Sequence, residues 1–179
     1  MIPHDPATTR RGFSSLAFGA AAASAAGAMR PGAAAAQSPT ILQVIDAGAD
    51  MSRFAALIRA AGLERLFTQP GPIGVFVPHN AAVERLSAHR LRQLEQDPEA
   101  LRRTIRHHVT DFTRQILAGG FSDSSSGSRS ETARALDGAT LTITHDAGSL
   151  PRVDGAPVFV ANMRAANGMA HCIDAVLEP

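Results

Sequence analysis

Six of the seven histidines lie beyond residue 37: His79, His89, His107, His108, His145 and His171. Histidine is the residue type here best suited to metal binding or proton transfer. A metal needs three or four converging N, S or O ligands. The spacing offers no HExxH pair and no cysteine cluster. The single cysteine, Cys172, has no internal disulfide partner. On a strand, His171 and Cys172 point to opposite faces, so they do not make a nucleophile and its base. The serines from Ser122 to Ser130 lack the GxSxG elbow of hydrolases, and no glycine-rich phosphate loop is present. Arg102, Arg103 and Arg106 stand near Asp97 and Glu99, the pattern of a solvated helix face. These residues predict no catalytic group, no cofactor and no resident metal. His108 follows Ile105 by three, so a helical continuation turns it inward, and His171 falls in an apolar closing run. Both are expected to be buried with their ring nitrogens hydrogen-bonded. His79 sits between a strand-like run and a helix start. With Asn80 it forms an expected exposed helix-entry loop, the candidate partner contact.

The elements that must position these residues divide the chain in two. The first half reads as helical. Ser38-Pro39 is a cap followed by a first-turn proline, before Ile41, Val44 and Ile45 on one face. Asp50 caps a second helix with Phe54, Leu57, Ile58 and Ala61 at helical spacing, closed by Gly62. Ile73 to Val77 is a short buried strand stopped by Pro78, and Asn80 caps a short helix through Val83 and Leu86. Asp97-Pro98-Glu99 opens a helix whose inner face is Leu101, Thr104 and Ile105. The second half reads as strands. Gly119 to Ser130 is a flexible loop, Leu141 to Thr144 alternates at period two, and Asp154-Gly155 marks a tight hairpin. Pro157 introduces the strand Val158 to Ala161, and Asn167-Gly168 is a turn before a last strand from Met169 to Leu177. Helices first and hairpin-linked strands later predict an α+β domain with a largely antiparallel sheet.

The chain has 179 residues, with 45% hydrophobic residues, a net charge of +1 and 17 basic residues, all of them arginine. This balance gives no nucleic-acid field, and Trp and Tyr are absent. The N-terminus has the layout of a secretory signal. Arg10-Arg11 and Phe13 resemble the twin-arginine export motif. An uncharged, alanine-rich run reaches Met29, and Ala34 to Ala36 offers a small-residue cleavage site before Gln37. Three large apolar residues, Phe13, Leu16 and Phe18, are too few to hold a membrane anchor, since each contributes only about −0.3 to −0.6 kcal/mol to insertion. The expected organisation is a signal peptide over residues 1–36 and one domain over 38–179, with no stable membrane insertion once the signal is removed.

Two segments resemble a known family. Val75-Phe76-Val77-Pro78-His79-Asn80-Ala81-Ala82-Val83 is similar to the first signature of fasciclin domains, which commonly reads V-F-A-P-T-N-D-A-F. Asn167-Gly168-Met169-Ala170-His171-Cys172-Ile173-Asp174-Ala175-Val176-Leu177-Glu178-Pro179 is similar to their closing signature, N-G-V-I-H-V-I-D-A-V-L-x-P. His107-His108-Val109 stands where the family usually has Y-H-V. The resemblance implies a helical layer packed on a β-sandwich or wedge, and a non-catalytic binding or adhesion role outside the cell. Implied partners are a protein or polysaccharide of the envelope, matrix or surface, with a periplasmic or secreted location. His79, Ala81, Val83 and His107 depart from the family pattern. Asn162-Met163 stands where integrin-linked animal members often carry Asp-Ile, which removes a residue-level case for integrin. The alternative expectation is a periplasmic metal or small-ligand binder using His79, His107 and a neighbour.

Overall fold

A computed structural model describes residues 38–111, 129–146 and 148–179. Arg10, Arg11, Phe13, Ala34, Ala36 and Gln37 lie outside the described residues, as does most of the expected loop from Gly119.

The first helix, α1 (Ile41–Ala47), begins two residues later than expected, at Ile41 rather than Pro39. Its cap is Thr40: the side chain accepts from the Gln43 N–H, and Gln43 reaches back to the Thr40 N–H at 2.8 Å. Pro39 is used elsewhere, its carbonyl accepting from the Ala166 N–H at 2.8 Å. A 3₁₀ turn over Ala49–Met51 contains Asp50, which caps nothing; α2 follows over Ser52–Ala60. Then come α3 (Glu64–Thr68), β1 (Ile73–Pro78), α4 (Asn80–Glu84), α5 (Ala88–Gln96) and α6 (Pro98–His107). Asp97 caps α6 as expected, accepting from the Glu99 and Ala100 N–H groups at 3.0 and 3.1 Å. The strands are β2 (Val109–Thr110), β3 (Arg129–Arg134), β4 (Thr140–His145), β5 (Arg152–Val153), β6 (Ala156–Ala165) and β7 (Gly168–Ile173).

Among the described residues, seven strands form one series in the order β2-β1-β7-β6-β5-β4-β3. Every pair is antiparallel except β1 with β7. The β5–β6 hairpin turns on Asp154 and Gly155 at φ 46° and 83°, the double positive φ of the tight turn the dipeptide predicts. Gly168 has no substitute, since a Cβ there would lie 1.9 Å from the Ile73 carbonyl oxygen. That close approach seats the start of β7 against β1.

Two apolar clusters cover the central strands. Against the helices lie Ile41, Phe54, Ile58, Phe67, Val75, Val77, Leu101, Ile105, Ala170 and Cys172. The other cluster holds Phe76, Leu141, Ile143, Val153, Val158, Ile173 and Leu177. Alternate residues of β1 and β7 thus enter different clusters, and both strands are buried on two faces. β7 stops at Ile173, four residues short of the expected end. The Asp174 N–H leaves the sheet to donate to the Pro157 carbonyl at 3.0 Å. β3 includes Arg129 and Ser130, so the expected loop ends earlier than Ser130.

A candidate contact surface beside the closing segment

The surface is built on the turn from β1 into α4. His79, not Asn80, is the cap of α4. Its Nδ1 accepts from the Ala82 N–H at 3.2 Å. That bond places the ring proton on Nε2, which donates to Asp174 Oδ1 at 2.7 Å. Arg85, at the C-terminal end of α4, donates from Nη2 to the carboxylate and to the main-chain carbonyl of Asp174. Arg85, and then His79, hold the Asp174 carboxyl below the usual carboxylate range against the opposing effect of burial. His79 is therefore half-buried and anchored, where the sequence predicts an exposed loop residue. Asn80 serves the neighbouring helix: Oδ1 accepts from the Arg53 N–H at 2.9 Å and Nδ2 donates to the Ala49 carbonyl at 3.1 Å. It satisfies the N-terminal donor of α2 that no local side chain caps.

Over this cluster lies the outward part of β6. The Phe159 ring stands 5.6 Å from the His79 ring, centroid to centroid. Phe159 and Val160 are 46% and 49% exposed. β6 shifts register against β7 between Val158 and Val160, and again between Val160 and Met163. Such bulges re-aim side chains. Within the second, Asn162 adopts φ 59°, and its N–H donates to His171 Nδ1 at 3.2 Å.

The other histidines serve separate networks. His107 Nδ1 meets Asp137 Oδ2 at 2.9 Å, with both side chains nearly fully buried. His108 is buried as expected, donating from Nδ1 to the Thr104 carbonyl at 2.7 Å and accepting the Leu177 N–H on Nε2 at 2.9 Å. Burial, the largest cause, pushes His108 down to about 4, and burial alone takes His171 to about 4. Burial, with Asp50 and Asp174 nearby, raises the Cys172 thiol, so it stays protonated in the core. His79 and His107 are not brought together. Among the described residues no group of three or more His, Cys, Asp or Glu is placed to hold a metal.

Asn167 is a residue whose role the sequence reading missed. Its Oδ1 accepts from the Ile41 N–H at 2.8 Å, and its Nδ2 donates to the Phe67 and Gln69 carbonyls at 2.9 and 3.0 Å. One side chain thus joins α1, the end of α3 and the start of β7.

A family model described as Fasciclin domain matches residues 49–179. The chain is 28% identical over 142 residues to transforming growth factor-beta-induced protein ig-h3 of Sus scrofa, covering 78% of this chain and 19% of that one. It is 27% identical over 141 residues to stabilin-1 of Homo sapiens, covering 78% of this chain and 5% of that protein. It is also 27% identical over 139 residues to an uncharacterized protein, sll1735, of Synechocystis, covering 78% of this chain and 97% of that one. The chain therefore spans only a small part of the two animal relatives. Among solved structures, a FAS1 domain pair from the insect cell adhesion molecule fasciclin I aligns with a TM-score of 0.48 at 16% identity, over 72% of this chain and 45% of that one.

Proposed function

The chain belongs to the fasciclin domain family, and from that premise we propose that it is an exported, non-catalytic module that binds a protein or polysaccharide of the cell envelope, surface or matrix. The observation that carries this reading is the adjacent, half-exposed pair Phe159 and Val160, set on a bulge beside the His79–Asp174–Arg85 cluster. An exposed apolar centre with polar neighbours is the usual composition of a binding patch. The histidine networks are committed to holding the chain, which favours binding over catalysis. Export rests on Arg10-Arg11, Phe13 and the small residues before Gln37, and implies a periplasmic or secreted location. Among the described residues no helix is long and apolar enough to cross a membrane.

The test uses the domain from Gln37 onward, titrated against isolated cell envelopes, matrix protein and envelope polysaccharide in a sedimentation assay. Replacing both Phe159 and Val160 by Asp is expected to weaken retention at least about tenfold, a change of about 1.4 kcal/mol, while the melting temperature stays near that of the parent. Equal retention of parent and double variant removes this surface from the reading. Failure of the parent to bind any of the three removes the reading itself.

A further inference from the structure

Directly behind the exposed pair, β6 is held to β7 by a bond that only a neutral histidine can make. His171 Nδ1 accepts the main-chain N–H of Asn162 at 3.2 Å. Asn162 is one of only two non-glycine residues with positive φ among the described residues, at 59°. The other, Asp154, is in the hairpin turn; Asn162 is inside a strand. Its side-chain Oδ1 is buried and has no hydrogen-bond partner. A buried unsatisfied acceptor costs roughly 1–3 kcal/mol, and a native structure that keeps one beside a titratable ring calls for an explanation.

We propose that His171 and Asn162 form an acid-operated switch that repositions the β6 bulge and, with it, the Phe159–Val160 contact surface. In the neutral state Nδ1 accepts from the Asn162 N–H. Taking up one proton turns Nδ1 into a donor; it then repels that N–H, and the orphaned Oδ1 of the same asparagine becomes its acceptor. The main-chain bond that fixes the bulge is exchanged for a side-chain bond, so the second state is paid for by an acceptor that the first leaves unused. Two arrangements with different proton counts are what a pH switch requires.

The surroundings suit a proton-driven change. β1, on one side of β7, carries no titratable side chain and places Phe76 5.5 Å from the His171 ring. β6, on the other side, carries only Arg164, which is exposed. β7 itself carries Cys172, which belongs to the opposite cluster. Asp174 beyond the strand end is engaged by His79 and Arg85. Burial is the cause that lowers the affinity of His171 for a proton, with no charged neighbour contributing among the described residues. An exported domain meets the pH of its surroundings, so such a device would tie binding to acidity.

This inference rests on the binding reading for its purpose, yet its test needs no partner. The free domain from Gln37 is titrated from pH 7.5 to 3.5 by NMR, following the His171 ring and the main-chain amides. The amides of Phe159 to Met163 are expected to move with the same midpoint as the ring, below 6.5, while the amides of α1 and α3 hold still. Asn162→Gly keeps the positive φ and removes the acceptor, so the His171 midpoint is expected to fall by half a unit or more. His171→Gln is expected to abolish the titration of the bulge. Bulge amides that stay still while the ring titrates, a midpoint unmoved by Asn162→Gly, or loss of all amides together before the ring titrates would each overturn the switch. None of these outcomes bears on whether Phe159 and Val160 bind a partner.

Discussion

The rim at the start of α4 and the interior at the end of α6 do the same job with opposite chemistry. Each uses one histidine to hold the segment after β7. At the rim, His79 donates from Nε2 to Asp174; in the interior, His108 accepts the Leu177 N–H on Nε2. The rim ring has a carboxylate beside it and keeps some solvent. The interior ring is 0% exposed, packs 5.3 Å from Phe54 and bonds only to main chain. Each ring uses one nitrogen as an acceptor, His79 Nδ1 for the Ala82 N–H and His108 Nε2 for the Leu177 N–H; the other nitrogen meets a carboxylate in His79 and a main-chain carbonyl in His108. The closing segment is thus tied down by one clamp that ends on a side-chain carboxylate near solvent and one that bonds to main chain in the interior.

The largest expected effect breaks the interior clamp with protons alone. His108 and His171 have folded-state values of about 4 against an ordinary 6.5. The unfolded chain therefore takes up these protons first as pH falls. Their stabilising contribution is complete above about 6.5 and is lost progressively as pH drops toward 4. At 1.36 kcal/mol per unit, each histidine accounts for about 3 kcal/mol over that window. Asp174, whose value is depressed, acts in the same direction only at lower pH, as it is protonated below its ordinary 3.8. Urea midpoints measured at pH 7, 6, 5 and 4 should fall steadily. A stability that is flat down to pH 4.5 would mean the interior rings are not held neutral.

Next in size is the residue between the two clamps. Ile173 is 0% exposed, ends β7, and its carbonyl accepts the His79 N–H at 3.1 Å. Ile173→Ala should cost about 2–5 kcal/mol through the cavity it leaves. It should also loosen both clamps, so hydrogen exchange at Asp174 and Leu177 should rise together. If only one of the two responds, the clamps are independent and the comparison sharpens into two separate units.

What could be read from the chain beforehand follows from how local each determinant is. The Asp154-Gly155 turn, the Asp97 cap and the two-faced burial of β7 depend on neighbouring residues, and they are found as expected. The burial of His108 and His171 was legible from helical spacing and from an apolar strand. By contrast, His79 finds Asp174 95 positions away, and Asn167 finds Phe67 100 positions away. Nothing in the spacing of either residue points to such a partner. The same limit explains the cap of α4. Asn is a far commoner N-cap than His, but Asn80 is claimed by the uncapped end of α2 and His79 takes the position. α5 buries only Leu94 and β3 only Ala133, so neither leaves an apolar period to read.

The smallest effect decides whether the rim is a clamp at all. An exposed loop residue should cost less than about half a kcal/mol on truncation. A cap bonded to a carboxylate should cost about 0.5–2 kcal/mol. His79→Ala is therefore expected to lower stability by about 1 kcal/mol, well short of Ile173→Ala. His79→Asn separates the two bonds the ring makes, because asparagine caps a helix well but is too short to span from its own Cβ to Asp174 as the imidazole does. If capping dominates, His79→Asn should recover most of the loss; if the Asp174 bond dominates, it should recover little and the exchange rate at Asp174 should stay raised. Either result keeps His79 as the outer clamp and says which of its nitrogens matters. Urea midpoints of His79→Ala indistinguishable from the parent would instead leave Arg85 alone holding Asp174, and the contrast between a carboxylate-bound rim and a main-chain-bound interior would reduce to the interior histidine.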